Sequence, residues 1–213
     1  MVILAIDTSA GTSVALVAHN GEVLATHDTL DTMRHAEVVG QAIMNVLADA
    51  GVSASEVTLV AGGVGPGPFT GLRVGLAAAV AFATARGIDL HPTVSHDAIA
   101  RGWFEQQGSG DLTIGLRVVT DARRKEVYWS DYAGLTSGIP VRLTGPAVAK
   151  PDDLPPPVGE GSLNTVNAAA VSAIQLALVA RAEQGSGITR AFQPLYLRSP
   201  DVTLSQGPKR VSS

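Results

Sequence analysis

The sequence predicts an α/β protein built from two halves of similar kind, and three observations carry that expectation. An apolar run, Ile3-Leu4-Ala5-Ile6, ends on Asp7-Thr8-Ser9. A second run, Val57 to Ala61, enters the loop Gly62-Gly63-Val64-Gly65-Pro66-Gly67-Pro68-Phe69-Thr70-Gly71, which opens an Ala-rich segment reaching Arg86. That order reads as buried strand, tight loop and helix N-terminus. After residue 95 a looser alternation of strand-like and helix-like segments follows. With 213 residues and 46% hydrophobic content, the chain can bury a sizeable core in one large domain or two small ones.

Residues 2–7 and Thr12 to Ala18 read as strands, and Asn20-Gly21 between Thr12–Ala18 and Glu22–Asp28 signals a hairpin. From Arg34 to Ala50 the residues Val39, Ile43, Val46, Leu47 and Ala50 share one helical face, and Gly51 ends the segment. Val57 to Gly63 is continuously apolar and is expected at the centre of a sheet, covered on both sides. A helix from Thr70 to Arg86 completes a β-β-β-α-β-α order, that of a ribonuclease-H-like half, and a strand from Ile88 to Val94 follows. The boundary is placed at residue 95, giving units 1–95 and 96–213.

In the second unit a helix is expected from Ser95, as N-cap with Asp97 in the first turn, to Gln107. Strands are expected at Leu112–Val119 and Lys125–Tyr132, with shorter ones at Val141–Leu143 and Pro157–Gly159. A helix from Asn167 to Glu183, closed by Gly185, ends the pattern. No low-complexity linker parts the units, so they are expected to stack tightly, each a mixed sheet flanked by helices.

Composition narrows the function classes. There are no cysteines, which removes disulfides, thiol nucleophiles and thiolate metal sites. No run nears the ~18 apolar residues of a membrane span. The first residues lack a basic region before the apolar run, so they read as a strand rather than a signal peptide, and a cytoplasmic location is expected. The net charge is −4, from 15 basic and 19 acidic residues. The tight basic cluster, Arg123-Arg124-Lys125 with Arg117 nearby and Lys209-Arg210 beyond, reads as a solvated turn, so RNA binding by this chain alone is not expected.

Little in the chain resembles catalytic machinery. There is no Gly-Lys-Ser/Thr phosphate loop, no HExxH and no Gly-x-Ser-x-Gly elbow. His19, His27, His91 and His96 have no ligand spacing, and one helical turn after His35 stands Val39 rather than a second imidazole. Glu37 lies about 200° around the helix from His35 and cannot share an ion with it. No metal is therefore expected. The 70–86 helix is apolar on two sides: Leu72, Leu76, Ala79, Val80 and Ala83 on one, Val74, Ala78, Phe82 and Ala85 on the other. Either the 34–50 helix and the second half bury the spare side, or another protein does. Gly75, Ala78 and Ala81 would allow close approach, and Met44 with Gln41 and Ala48 offers an adaptable surface beside it.

Taken with Arg34-His35-Ala36-Glu37 and Pro194-Leu195-Tyr196-Leu197-Arg198, these motifs resemble those of the TsaB (YeaZ) family of tRNA threonylcarbamoyladenosine biosynthesis. The resemblance implies an actin-like ATPase fold and a non-catalytic subunit. Such a subunit pairs with TsaD, and with the ATPase TsaE, or forms homodimers when alone, and meets tRNA only through the complex. It implies no tightly bound cofactor, with ATP or ADP at the complex interface. Its partner surface would comprise His35, Gln41, Met44, Leu72, Val74, Gly75, Ala78 and Phe82. In working actin-like enzymes the first strand ends on an Asp and a small polar turn that face nucleotide phosphates. Asp7, Thr8 and Ser9 fill that slot, with Gly65, Gly67, Thr70 and Gly71 as the facing loop.

Two alternatives are an actin-like ATPase or kinase using Asp7 and that loop, and a glycoprotease-type peptidase, which the missing nucleophile and metal pair disfavour. Val119-Thr120-Asp121-Ala122-Arg123 stands where a second phosphate loop would be but lacks its glycines. The family also has a longer excursion after Gly161, where only Ser162 to Val166 stand here, as a shortened loop or the remnant of an omitted one.

Overall fold

The computed structural model describes residues 2–30, 34–108, 115–156, 158 and 163–198. The first sheet holds β1 (Val2–Asp7), β2 (Thr12–Ala18), β3 (Val23–Thr29), β4 (Val57–Gly63) and β5 (Asp89–Thr93) in the order β3-β2-β1-β4-β5. The β1–β2 and β2–β3 pairs are antiparallel, and β4 and β5 extend the sheet in parallel. The second sheet holds β6 (Gly115–Asp121), β7 (Val127–Thr136), β8 (Ile139–Ala149) and β9 (Leu163–Asn167), ordered β8-β7-β6-β9. Its two antiparallel pairs and one parallel pair repeat the first four positions of the larger sheet.

Among the described residues stand four α-helices: α1 (His35–Ala50), α2 (Phe69–Arg86), α3 (Ser95–Gln106) and α4 (Ala173–Gly185). One face of the first sheet, with Leu4, Ile6, Val14 and Leu16, packs against Val39, Ala42 and Val46 of α1 and Ala79 and Ala83 of α2. The other face, with Ile3, Ala5, Ala15 and Val17, packs against Ala173, Leu176, Ala177 and Ala180 of α4. Residues Ala100 and Phe104 of α3 meet Leu116, Val118 and Tyr132 of the second sheet. The layers therefore run helix, sheet, helix, sheet. Because helices cover both faces of the first sheet, β1 is apolar from Val2 to Ile6, and each fully buried Ile or Leu there contributes about 1.5–3 kcal/mol.

Several expected boundaries shift. Residues 163–167 are not a loop remnant but a strand, with Arg117 of β6 opposite Thr165 of β9. The last helix begins at Ala173 rather than Asn167, because the Ser172 hydroxyl accepts from the Gln175 N–H and caps it there. Val141–Leu143 is the middle of an eleven-residue strand, β8. Ser95 is the first helical residue and not the cap, which is Val94. The expected strand at Pro157–Gly159 and the residues Leu112–Ile114 lie mostly or wholly outside the described residues, as do Lys209 and Arg210.

Candidate functional site

At the end of β1, where the resemblance places phosphates, Asp7 and Thr8 make hydrogen bonds to groups of the chain itself. Asp7 is 1% exposed. Its Oδ1 accepts from the Ser9 N–H at 2.8 Å and the Ser9 hydroxyl at 2.6 Å, and its Oδ2 from the Ser95 hydroxyl at 2.5 Å. Burial pushes the Asp7 carboxyl above its ordinary value, against the pull of those hydrogen bonds. The Thr8 hydroxyl donates to the Gly71 carbonyl at 2.7 Å and accepts from the Gly75 N–H at 3.0 Å, tying β1 to the first turns of α2. Glycine is required at both α2 positions of that contact: a Cβ on Gly75 would lie 2.2 Å from Thr8 Oγ1, and one on Gly71 2.7 Å from the Thr8 carbonyl oxygen. In the loop before α2, a Cβ on Gly67 would lie 2.8 Å from Ser9 Cα. Gly65 belongs to the same closure: its N–H donates to Ser95 Oγ at 3.1 Å.

Beside this turn lies a cleft of about 850 Å³ between the two halves. Ser9, His35, Thr70 and Gly71 line one wall, and Asp121 and Arg123 the other. Of the residues assigned to nucleotide, Ser9, Thr70 and Gly71 reach the cleft, whereas Asp7, Thr8, Gly65 and Gly67 are absent from its lining. His35 Nδ1 shares a hydrogen bond of 2.8 Å with the Thr12 hydroxyl. Val39, in the place of a second imidazole, is 6% exposed within the core.

The residues assigned to a partner surface divide by depth. Leu72 and Gly75 are buried against the sheet or the β1 turn and present no surface while the subunit is folded, and His35, 8% exposed, faces the cleft. Val74, Ala78 and Phe82 are half-buried at the edge of the layer shared with α1. Gln41 is exposed, donating to Asn45 Oδ1 at 2.8 Å, and Met44 is 65% exposed. Val80, expected beside Leu72, is 39% exposed, since eight residues along a helix turn its side chain about 80° away, onto the flank of α2 opposite Ala78 and Phe82.

Sequence reasoning missed the polar layer between the halves. His96 is fully buried, sharing hydrogen bonds of 2.9 Å with Ser130 Oγ and with Thr120 Oγ1, and burial drives its value down from 6.5 to about 3. Asp97 accepts from the Tyr132 hydroxyl at 2.7 Å and pairs with Arg142 at 3.3 Å. Burial raises both Asp97 and Tyr132, the Arg142 charge opposing it in each case. Glu183 is bonded to His91 at 2.8 Å and to Arg190; although burial opposes it, those bonds hold the carboxyl below its ordinary value. Arg117, expected in the basic cluster, is instead buried in a two-pronged pair with Asp131, both bonds 2.7 Å. Register was the available signal, since Arg117 and Asp131 stand opposite each other in the β6–β7 pair.

The segment 194–198 straps the halves together. The Leu195 N–H donates to the Val64 carbonyl at 2.9 Å, and the Tyr196 ring stacks 4.7 Å from Phe69. Arg73 lies 3.8 Å over Phe69 and donates to Tyr196 Oη at 3.2 Å. Across the cleft, Arg198 donates to the Ala122 carbonyl at 2.6 Å and pairs with Glu126 at 3.2 Å.

No helix among the described residues is long and apolar enough to cross a membrane. The family model for TsaD, tRNA N6-adenosine threonylcarbamoyltransferase, matches residues 27–191. An uncharacterized protein of Mycobacterium tuberculosis is 37% identical over 211 residues, covering 93% of this chain and 92% of its own. One of Mycobacterium leprae is 38% identical, and there the match covers 94% of this chain but only 55% of the relative. The tRNA threonylcarbamoyladenosine biosynthesis protein TsaB of Escherichia coli is 30% identical over 71% of this chain and 64% of its own. Among solved structures, an uncharacterized Pseudomonas aeruginosa protein with similarity to peptidase YEAZ superposes with a TM-score of 0.77, at 24% identity over 92% of this chain and 99% of its own. YeaZ from the same organism superposes at 0.73, at 24% identity over 89% and 96% of the two chains. The chain belongs to the family described by the model for TsaD, tRNA N6-adenosine threonylcarbamoyltransferase, and within it is similar to the TsaB (YeaZ) proteins.

Proposed function

We propose that this chain is a non-catalytic subunit of the machinery that places a threonylcarbamoyl group on the adenosine beside the tRNA anticodon. In this reading it pairs with TsaD through α1 and α2, works with TsaE, and reaches tRNA through that complex. The observation that carries it is the occupied phosphate slot: Asp7, Thr8 and Gly67 are spent on contacts within the subunit. An enzyme of this fold needs those groups facing its ligand. The outer sides of α1 and α2, with Met44 exposed and Ala78 and Phe82 half-buried, support the pairing, because covering apolar area left in water is favourable. ATP or ADP is assigned, if anywhere, to the boundary with TsaD.

Co-purification with TsaD from the same organism is the direct test. A stable pair is expected, and two proteins that migrate separately at micromolar concentration would refute the pairing. The second reading is an ATPase or kinase, which the open cleft beside Thr70 and Gly71 favours. It requires saturable ATP binding with turnover that Asp7→Ala abolishes.

A further inference from the structure

The turn joining β6 to β7 holds three consecutive basic residues in the left-handed region: Arg123 at φ 65°, Arg124 at 51° and Lys125 at 63°. Glycine or asparagine is the ordinary occupant of such positions, and each other residue there costs stability. A run of three long cationic side chains is the costly choice where cheaper ones exist. The turn is also held rigidly. The Arg123 N–H donates to Asp121 Oδ1 at 2.8 Å, the Glu126 N–H to the Arg123 carbonyl at 3.0 Å, and Arg198 of the strap grips the Ala122 carbonyl. All three basic residues are exposed, in a chain whose net charge is −4.

Their placement selects the ligand. Arg123 lines the cleft and pairs with Asp121 at 3.5 Å, whereas Arg124 and Lys125 are absent from the cleft lining. Successive residues of a left-handed turn project roughly 100° apart, so the three side chains leave the turn in different directions. A mononucleotide in the cleft would meet Arg123 and leave the other two in solvent. A strand of spaced phosphates crossing the cleft mouth would meet them all.

We propose that this turn grips the sugar-phosphate backbone of RNA at the mouth of the cleft. The inference rests on the functional reading above, in which that RNA is the tRNA held by the complex with TsaD. The test is the double variant Arg124→Asn/Lys125→Gly in the reconstituted complex, since Asn-Gly suits left-handed positions and removes two cations. The melting midpoint of the variant chain should rise by a few degrees. The complex should bind an unmodified tRNA transcript on the order of tenfold more weakly at physiological ionic strength, and the slope of log K against log salt should shrink by about two. Arg124→Lys, which keeps the charge, should bind as the parent does. Unchanged tRNA affinity and slope in the double variant would overturn the inference. So would loss of ATP binding with tRNA binding intact, which would assign the cations to a nucleotide, or loss of pairing with TsaD, which would assign them to the protein interface. A parent chain that never pairs with TsaD would sink the functional reading and this inference with it, whereas unchanged tRNA affinity in a pair that does form overturns the inference alone.

Discussion

Thr8 shows how one hydroxyl can commit a turn. It is both donor to and acceptor from the α2 backbone, so the position expected to face a phosphate joins two elements instead. Thr8→Val keeps the shape and strands a buried carbonyl and N–H. A loss of about 1–3 kcal/mol is expected in urea unfolding, and a loss under half of that would mean the contact is not formed in solution. His96 gives a second prediction. Its folded value, about 3, is depressed from 6.5, so between those values the unfolded chain holds a proton that the folded chain does not. Its contribution to stability is present above pH 6.5 and is lost as pH falls toward 3, by up to about 1.4 kcal/mol per pH unit. Parent and His96→Gln unfolding midpoints compared across that window should diverge, with the parent steeper. Parallel profiles would show that the imidazole charges without cost.

At the scale of elements, what was legible in the sequence followed from strong local signals. The continuous apolar run of β4, the Gly/Pro loop and the period of α1 each have one physical meaning, and those elements lie where they were expected. β9 and the start of α4 were misread because residues 163–172 carry little apolar pattern; pairing with β6 and the Ser172 cap decide them. The Asp7 turn was legible as a place but not as a state, since no spacing reveals that α2 docks onto Thr8. The two-sided helix α2 was legible as a problem, and its solution needed three dimensions. Ala83 is 4% exposed against the sheet, while Ala78 sits at the half-buried outer edge. Ala83→Glu should destabilise the subunit by more than about 3 kcal/mol, as an unpaired charge in a packed core does. Ala78→Glu should leave cooperative unfolding intact yet weaken homodimers and the pair with TsaD a hundredfold or more, by sedimentation or calorimetry. Unfolding by both would bury the outer edge within the subunit; intact assembly with both would move the partner surface elsewhere.

On the scale of the whole molecule, the α3–α4 layer makes the two halves one body. The pairs among His91, Glu183, Arg190, Asp97 and Arg142 span it, and the 194–198 strap closes it from outside. Beside that layer the turn after β1 is held by its own contacts, Thr8 to α2 and Asp7 to Ser9 and Ser95. The measurement that tests this most directly is threonylcarbamoyl transfer to tRNA by TsaD and TsaE, with the chain absent, present, or present as Asp7→Asn. Transfer should need the chain, and Asp7→Asn should support it within about twofold of the parent once folding and pairing are verified. A folded, paired Asp7→Asn chain that lowers transfer a hundredfold would contradict the account, because Asp7 would then belong to the chemistry.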